Sequence, residues 1–440
     1  MPHPPLRRPR PPAPWRRQPW GWLAGLACVW ALAGGAQAAP DARILEAARQ
    51  EQPAFLNTLR ELVEIESGSR DIDGVRAMAK RVAARLKALG GEVQTLLPTD
   101  IVRLDDTPEQ LGPVVKAVFR GTGTARILLI AHMDTVYPRG TLQHQPFRLE
   151  GDKAYGLGAA DDKQGVALIL HHVALLQKLG VRNFGTLTVL LNSDEEISSP
   201  GSRQLITATA RDQDAVFSFE GSGHSGAVYL ATSGIGAVYL SVRGQSAHAG
   251  ANPEAGVNAL YELSHQVLQM KSLSQPELGL KLNWTLSHAG TTRNVIPDLA
   301  TAQADARALR LADFDMLRSA LQESVNQKLL PDSEVNVRFE LRRPPLEVND
   351  ASRAVARHAQ RIYEQELGLA MPVIDIATGG GTDAAFAGLQ ARGAVIEGLG
   401  LTGYGAHGSG AEYVLLDSLV PRLYLTVRLV QDLAAGPLPP

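Results

Sequence analysis

One cysteine in 440 residues, at position 28, leaves the body of the chain without a thiol. Cys28 lies inside what reads as a cleaved leader, so the mature chain has no disulfide and no thiolate. Any metal it binds must be held by imidazole and carboxylate alone. Charge of one sign is missing as well. Lys and Arg number 43 against 45 Asp and Glu, for a formal net charge of −2; nothing in this balance suggests nucleic acid, which normally asks for a strongly basic face. Long apolar runs are scarce. The stretch from Gly21 to Gly34 is too short to span a bilayer well. There is no internal repeat, and no long low-complexity segment outside the leader.

What is present begins with that leader. Arg7, Arg8, Arg10, Arg16 and Arg17 form a basic n-region, the apolar stretch follows, and Ala36-Gln37-Ala38 supplies a cleavage signal. This is the pattern of a secretory signal peptide over residues 1–38. It places the mature protein in the periplasm or outside the cell, with no stable membrane association once the leader is removed. Cleavage takes away five arginines and no acids, moving the formal net charge from −2 to −7.

The remainder is organised around Ile127 to Thr135, where four apolar residues end abruptly in His132-Met133-Asp134. An apolar run without periodicity reads as a strand buried on both faces, as in a parallel sheet covered by helices. Ligands in such sheets bind at the carboxyl ends of the strands. Two further buried strands repeat the arrangement: Thr186 to Leu191 leads into Glu195-Glu196, and Ala215 to Phe219 ends in Glu220. A glycine turn, Gly156 to Gly165, presents Asp161 before a helix from Val166 to Lys178. It lacks phosphate-loop and dinucleotide spacing, and its two aspartates suit a cation better than an anion. Helices are expected from Pro53 to Glu66, Gly74 to Leu89, Ala351 to Leu367 and Leu419 to Leu433, and one or two strands between Val93 and Val118.

Between Ser233 and Arg342 the pattern changes to alternating strands (Gly236 to Val242, Lys281 to Ser287, Thr301 to Arg307, Glu334 to Leu341). Helical stretches lie between them, from Val257 to Met270 and from Phe314 to Leu329. Alternation indicates an antiparallel sheet with helices on one face. The expected fold is therefore α/β: a mostly parallel catalytic sheet over 41–232 and 343–440, with a smaller α+β domain inserted at 233–342. Arg342-Arg343-Pro344-Pro345 marks its closure.

His132, Asp161, Glu195, Glu196, Glu220 and His407 make up two imidazoles and four carboxylates. A two-zinc hydrolytic centre needs such a set: a carboxylate shared by ions about 3.5–4 Å apart, and one carboxylate left off the metal to accept a proton from water. Neighbouring side chains at a strand end point opposite ways, so one of Glu195-Glu196 can bind metal while the other faces the open water. Each residue alone has an ordinary structural explanation; their joint placement at strand ends and turns carries the reading.

The chain resembles the zinc-dependent aminoacylase and carboxypeptidase superfamily, and within it the bacterial glutamate carboxypeptidases that release C-terminal glutamate from folates and related N-acyl amino acids. The resemblance rests on His132-Met133-Asp134-Thr135, Ala160-Asp161-Asp162-Lys163, Asp194-Glu195-Glu196, Phe219-Glu220, Ser246-Ala247-His248-Ala249-Gly250, Asn294-Val295-Ile296-Pro297, Asp305-Ala306-Arg307, the Gly379-Gly380-Gly381-Thr382-Asp383 loop and His407. It implies two Zn2+ per subunit. Asp161 would bridge them, His132 and Glu220 would complete one site, and Glu196 and His407 the other. Glu195 is implied as general base, Asp134 as the acceptor behind His132, and the Asp161–Asp162 peptide as cis. The inserted domain is implied to be a lid and homodimerisation domain whose His248 reaches the partner's active site. Arg307 is implied to pair with the substrate carboxylate, and Asn294, Gly380 and Gly381 to help hold a small N-acyl amino acid. One departure stands out. Glu220 is followed by Gly221-Ser222-Gly223-His224 instead of a proline-containing turn, which bears on the glutamate preference. Two other readings remain in view: a broader N-acyl-amino-acid amidohydrolase or dipeptidase on the same fold, and an exported non-catalytic binding protein, which would need no unligated Glu195.

Overall fold

The computed structural model describes residues 39–408, 410–436 and 438; the leader expected over 1–38 lies outside them. Ten strands form the two large sheets. They are β1 (Glu92–Leu96), β2 (Val114–Arg120), β3 (Arg126–His132), β4 (Thr186–Asn192), β5 (Ala215–Ser218), β6 (Gly234–Arg243), β7 (Lys281–Ala289), β8 (Leu299–Ala308), β9 (Glu334–Arg343) and β10 (Ala394–Ile396). The six-stranded sheet runs β1-β2-β4-β3-β5-β10. β3 pairs in parallel with β4 and β5, and β5 with β10. The segment before β3, read as one or two strands, supplies the antiparallel edge β1–β2.

β3 shows why its sequence is apolar throughout. Ile127, Leu129 and Ala131 face the larger core, built with helices α1 (Ala42–Val63), α2 (Ile72–Ala88) and α3 (Gln164–Lys178). Leu128 and Ile130 face a second core with Ile206 of helix α4 (Arg203–Ala210), Phe386 and Val395. Alternate residues thus bury opposite faces, and the strand can expose a polar group only at its end. α1 starts well before the expected Pro53. Asp41 caps it by accepting from the Arg43 and Ile44 amides, and Ile44, Ala47 and Ala48 are buried. That burial carries the helix through Pro53 despite its missing N–H.

The smaller sheet is antiparallel, in the order β7-β8-β6-β9. Helices α5 (Ala259–Met270) and α6 (Leu311–Ser324) cover one face, where Val238, Leu240 and Val242 meet Leu263, Phe314, Leu317 and Leu321. Ala300, Ala302, Ala304, Ala306 and Ala308 of β8 point to that face. The intervening residues, Asp305 and Arg307 among them, point to the other. After β9 come α7 (Asp350–Arg361), β10 and the closing helix α8 (Leu419–Ala435). A further four-stranded sheet joins Gly403–Tyr404 and Tyr413–Leu415 to Lys153–Tyr155 and Arg148–Glu150. It holds the loop carrying His407 beside the turn carrying Asp161. Among the described residues, no helix is long and apolar enough to cross a membrane.

Candidate metal centre

Three parallel strands deliver their ends to one place. His132 is the last residue of β3, Glu195 and Glu196 follow β4, and Glu220 follows β5. The Asp161–Asp162 peptide between β3 and α3 is cis, as the resemblance implies. The two oxygens of Asp161 diverge: Oδ1 lies 2.9 Å from His132 Nε2 and Oδ2 lies 3.1 Å from His407 Nε2. Glu220 Oε1 is 3.3 Å from the first imidazole, and Glu196 Oε2 is 3.0 Å from the second. His132, Asp162 and Glu220 form one group whose potential ligand atoms lie within 4.8 Å of one another, and Asp161, Glu196 and His407 form another.

Asp134 lies directly behind. The Nδ1 of His132 is 3.0 Å from the Asp134 carbonyl and 3.3 Å from its Oδ1. A carbonyl only accepts, so Nδ1 carries the hydrogen and Nε2 keeps its lone pair for a ligand. The Asp134 carboxylate also accepts from the Glu195 amide (3.1 Å), the Glu196 amide (3.1 Å) and the Ser69 hydroxyl (2.7 Å). It therefore positions the Glu-Glu pair as well as the imidazole.

The electrostatics ask for cations. Burial and the neighbouring Asp161 charge push Glu196 up to about 7. Burial likewise raises Glu220 and, against the pull of Arg343, raises Glu195 well above the carboxylate range. Burial would raise Asp161 too, but the His132 and His407 imidazoles beside it outweigh burial and hold that carboxyl low. His407, between Asp161 and Glu196, is raised to about 11. Carboxylates gathered this closely out of water need positive charge. Glu196 Oε1 is buried without a hydrogen-bond partner, an atom poised for a ligand. Imidazole nitrogen and carboxylate oxygen as the donor set suit zinc.

Several contributing residues had no assigned role in the sequence reading. Arg343, taken there as part of a domain boundary, is buried and places Nη1 2.8 Å from Glu195 Oε1 and 3.0 Å from Asp383 Oδ1. Its Nη2 donates to the Glu195 carbonyl at 2.8 Å. Asp383 in turn accepts from Asn192 at 2.6 Å. Asp162 is buried, accepts from Gln164 Nε2 at 2.7 Å, and joins the His132 group. Glu412 accepts from the Asp161 amide at 2.8 Å. An arginine ending an alternating strand was the one visible signal for Arg343; Glu412 has no local signature.

A cleft of about 690 Å³ lies between the two sheets, lined by Glu195, Glu196, His407, Arg307 and the Gly379–Gly381 loop. Arg307 is held there by Asp305 (Nε–Oδ1 2.8 Å, Nη2–Oδ2 2.9 Å), and its Nη1 donates to the Gly379 carbonyl at 3.1 Å. The Gly380 carbonyl accepts from Ser233 at 2.8 Å. A Cβ at Gly381 would stand 2.7 Å from the Ser233 carbonyl oxygen. His248 and Asn294 are not among the lining residues. Both are exposed on a short ribbon, Ala247–His248 against Val295–Ile296, where the Ala249 amide donates to the Asn294 carbonyl at 2.9 Å.

Residues 128–432 match the profile described as Peptidase family M20/M25/M40. Carboxypeptidase G2 of Pseudomonas sp. (strain RS-16) is 43% identical over 397 residues, spanning 90% of this chain and 93% of its own. Among solved structures, a tripeptidase from Staphylococcus aureus superposes with a TM-score of 0.72 at 21% identity, over 88% of this chain and 99% of that one. An M20 family metallo-carboxypeptidase from Sulfolobus solfataricus gives 0.69 at 17% identity, over 87% and 99%. These two likenesses are of fold.

Proposed function

Because the chain belongs to peptidase family M20/M25/M40, we propose that it is a two-zinc carboxypeptidase that hydrolyses the amide bond to a C-terminal amino acid, glutamate by preference, in N-acyl or folate-like substrates. The observation that carries the reading is Asp161, whose two oxygens each face a different imidazole within 3.1 Å. His132 and Glu220 would hold one ion, Glu196 and His407 the other, and Asp161 both. Zinc bound there lowers the pKa of water toward neutrality and polarises the scissile carbonyl. The similarity to Carboxypeptidase G2 supports cleavage at a C-terminal residue.

The chain's own groups supply the rest. Glu195 accepts a proton from the attacking water and returns it to the leaving amine. Arg343 engages one of its oxygens and fixes its direction. Arg307, its guanidinium oriented by Asp305 and Gly379, presents its remaining N–H groups to the substrate carboxylate; a planar fork suits that partner better than an ammonium. Gly380 and Gly381 line the same cleft, and a Cβ at Gly381 would crowd the Ser233 carbonyl oxygen. We assign the catalytic part to 41–232 and 343–440 and the lid to 233–342. Exposure of His248 and Asn294 fits delivery to a second copy through a lid-to-lid homodimer, with His248 stabilising the oxyanion. The leader directs the enzyme to the periplasm or the exterior.

Glu195→Ala is expected to retain zinc and fold while losing essentially all turnover; a near-normal rate would remove Glu195 as the base. A purified-enzyme panel of N-acyl-glutamate, N-acyl-aspartate, N-acyl-leucine and simple dipeptides tests the specificity. A best substrate without a second carboxylate would favour the broader amidohydrolase or dipeptidase reading.

A further inference from the structure

His132, Asp161 and His407 sit on three separate segments, and one pair of side chains joins all three. Tyr137 lies five positions beyond His132 on the same strand end. Its hydroxyl donates at 2.9 Å to Oε2 of Glu412, which lies five positions beyond His407 on the loop that carries it. Glu412 is buried. Its Oε2 also accepts from the Gly158 amide at 3.1 Å, and its Oε1 from the Ala160 and Asp161 amides at 2.7 and 2.8 Å. Two carboxylate oxygens thus receive four donors, three of them from the turn that carries the bridging aspartate.

The need for this pair follows from the neighbouring geometry. His407 is the most exposed of the five expected ligands, its side chain 56% accessible against 1% for His132. It also sits at φ +59°, in the left-handed region. Its loop leaves the Gly403–Tyr404 strand and returns at Tyr413, immediately after Glu412. The Asp161 turn enters through Gly158 at φ +69°. Neither ligand lies in a regular helix or strand: the small sheet brings the two segments side by side, and the Glu412 contacts tie the Asp161 turn to the His407 loop beyond it.

We propose that Tyr137 and Glu412 are positioning residues that set the distance between Asp161 and His407, and so control the affinity of the ion held by Asp161, Glu196 and His407. The inference rests on the two-zinc reading above. It touches no substrate atom and predicts an effect on one metal site more than on the other. Partners just behind metal ligands characteristically change affinity about 10–100-fold when removed.

The test is zinc binding by the purified full chain, by competition with a chromophoric chelator, for the wild type, Tyr137→Phe and Glu412→Gln. Tyr137→Phe removes one oxygen from a half-buried side chain and leaves the core intact. Glu412→Gln keeps the shape but turns two acceptor positions into donors facing N–H groups. Tyr137→Phe is expected to weaken the second zinc about 10–100-fold, leave the first within about twofold, lower kcat, and hold KM and the metal-free melting temperature near wild type. Glu412→Gln is expected to show the same pattern more strongly. Wild-type affinity at both sites in both variants overturns the inference. So does a Tyr137→Phe chain in which both affinities fall together with the metal-free melting temperature. A wild-type chain that holds fewer than two zincs overturns the two-zinc reading and this inference with it, an outcome separable from the others because it appears without any substitution.

Discussion

At the scale of single residues, Asp134 is the busiest group behind the centre. Fully buried, it touches His132, both glutamate amides and Ser69, so one carboxylate fixes three chain segments. Arg343 plays the matching part on the far side of Glu195. Replacing it with methionine strands Glu195 and Asp383 together out of water, and Arg343→Met is expected to cost about 3–5 kcal/mol in urea unfolding. His172 is a liability of another kind. Neither ring nitrogen has a hydrogen-bond partner, and burial pushes the imidazole down to about 3. Its folded value lies below the unfolded one of 6.5. The unfolded chain therefore binds the proton more readily, and stability that is complete above the unfolded value drains away as pH falls toward the folded one. His172→Leu is expected to move the acid unfolding midpoint, followed by near-UV circular dichroism, to lower pH; an unchanged midpoint would show that other groups set the acid limit.

At the scale of elements, the turn before α3 is the most exacting piece of backbone. Gly158 holds φ +69°, and a Cβ there would meet Thr135 Cγ2 at 2.5 Å. Gly158→Ala is expected to destabilise the fold by about 1–3 kcal/mol and to weaken zinc retention, read by metal analysis after gel filtration. The strand ends that bring His132, Glu195, Glu196 and Glu220 together were legible because a run such as Ile127–Ala131 is buried on both faces and can place a polar side chain only where it stops. Supporting residues were not legible for a reason of range. Glu412 acts on an amide 251 positions away and Arg343 on a carbonyl 148 positions away, and nothing in their local sequence records those partners. The start of α1 was missed because Pro53 reads as a first-turn residue, yet the buried face reaches back to Ile44. Asp162, visible beside Asp161, had no assigned role because adjacency alone does not say which carboxylate faces which imidazole.

At the scale of the molecule, two bodies of chain share one cleft. The change from continuous apolar runs to alternation identified the smaller sheet, since a sheet covered on one face alternates and a sandwiched one does not. Metal should hold the larger body together as well as equip it. Exhaustive chelation is expected to lower the melting temperature by several degrees, because an ion at a thousand times its dissociation constant adds about 4 kcal/mol to the folded state. Restored zinc should return it; a melting curve indifferent to chelation would mean that the acidic cluster is neutralised by protons alone.

Arg343 closes β9, the strand by which the chain leaves the smaller sheet, and it is bonded to both Glu195 and Asp383. The point where the chain leaves the smaller sheet is thus fastened to the residue proposed as general base. A tilt of the smaller sheet that kept these bonds would turn beside Glu195 and leave the direction of that carboxylate unchanged.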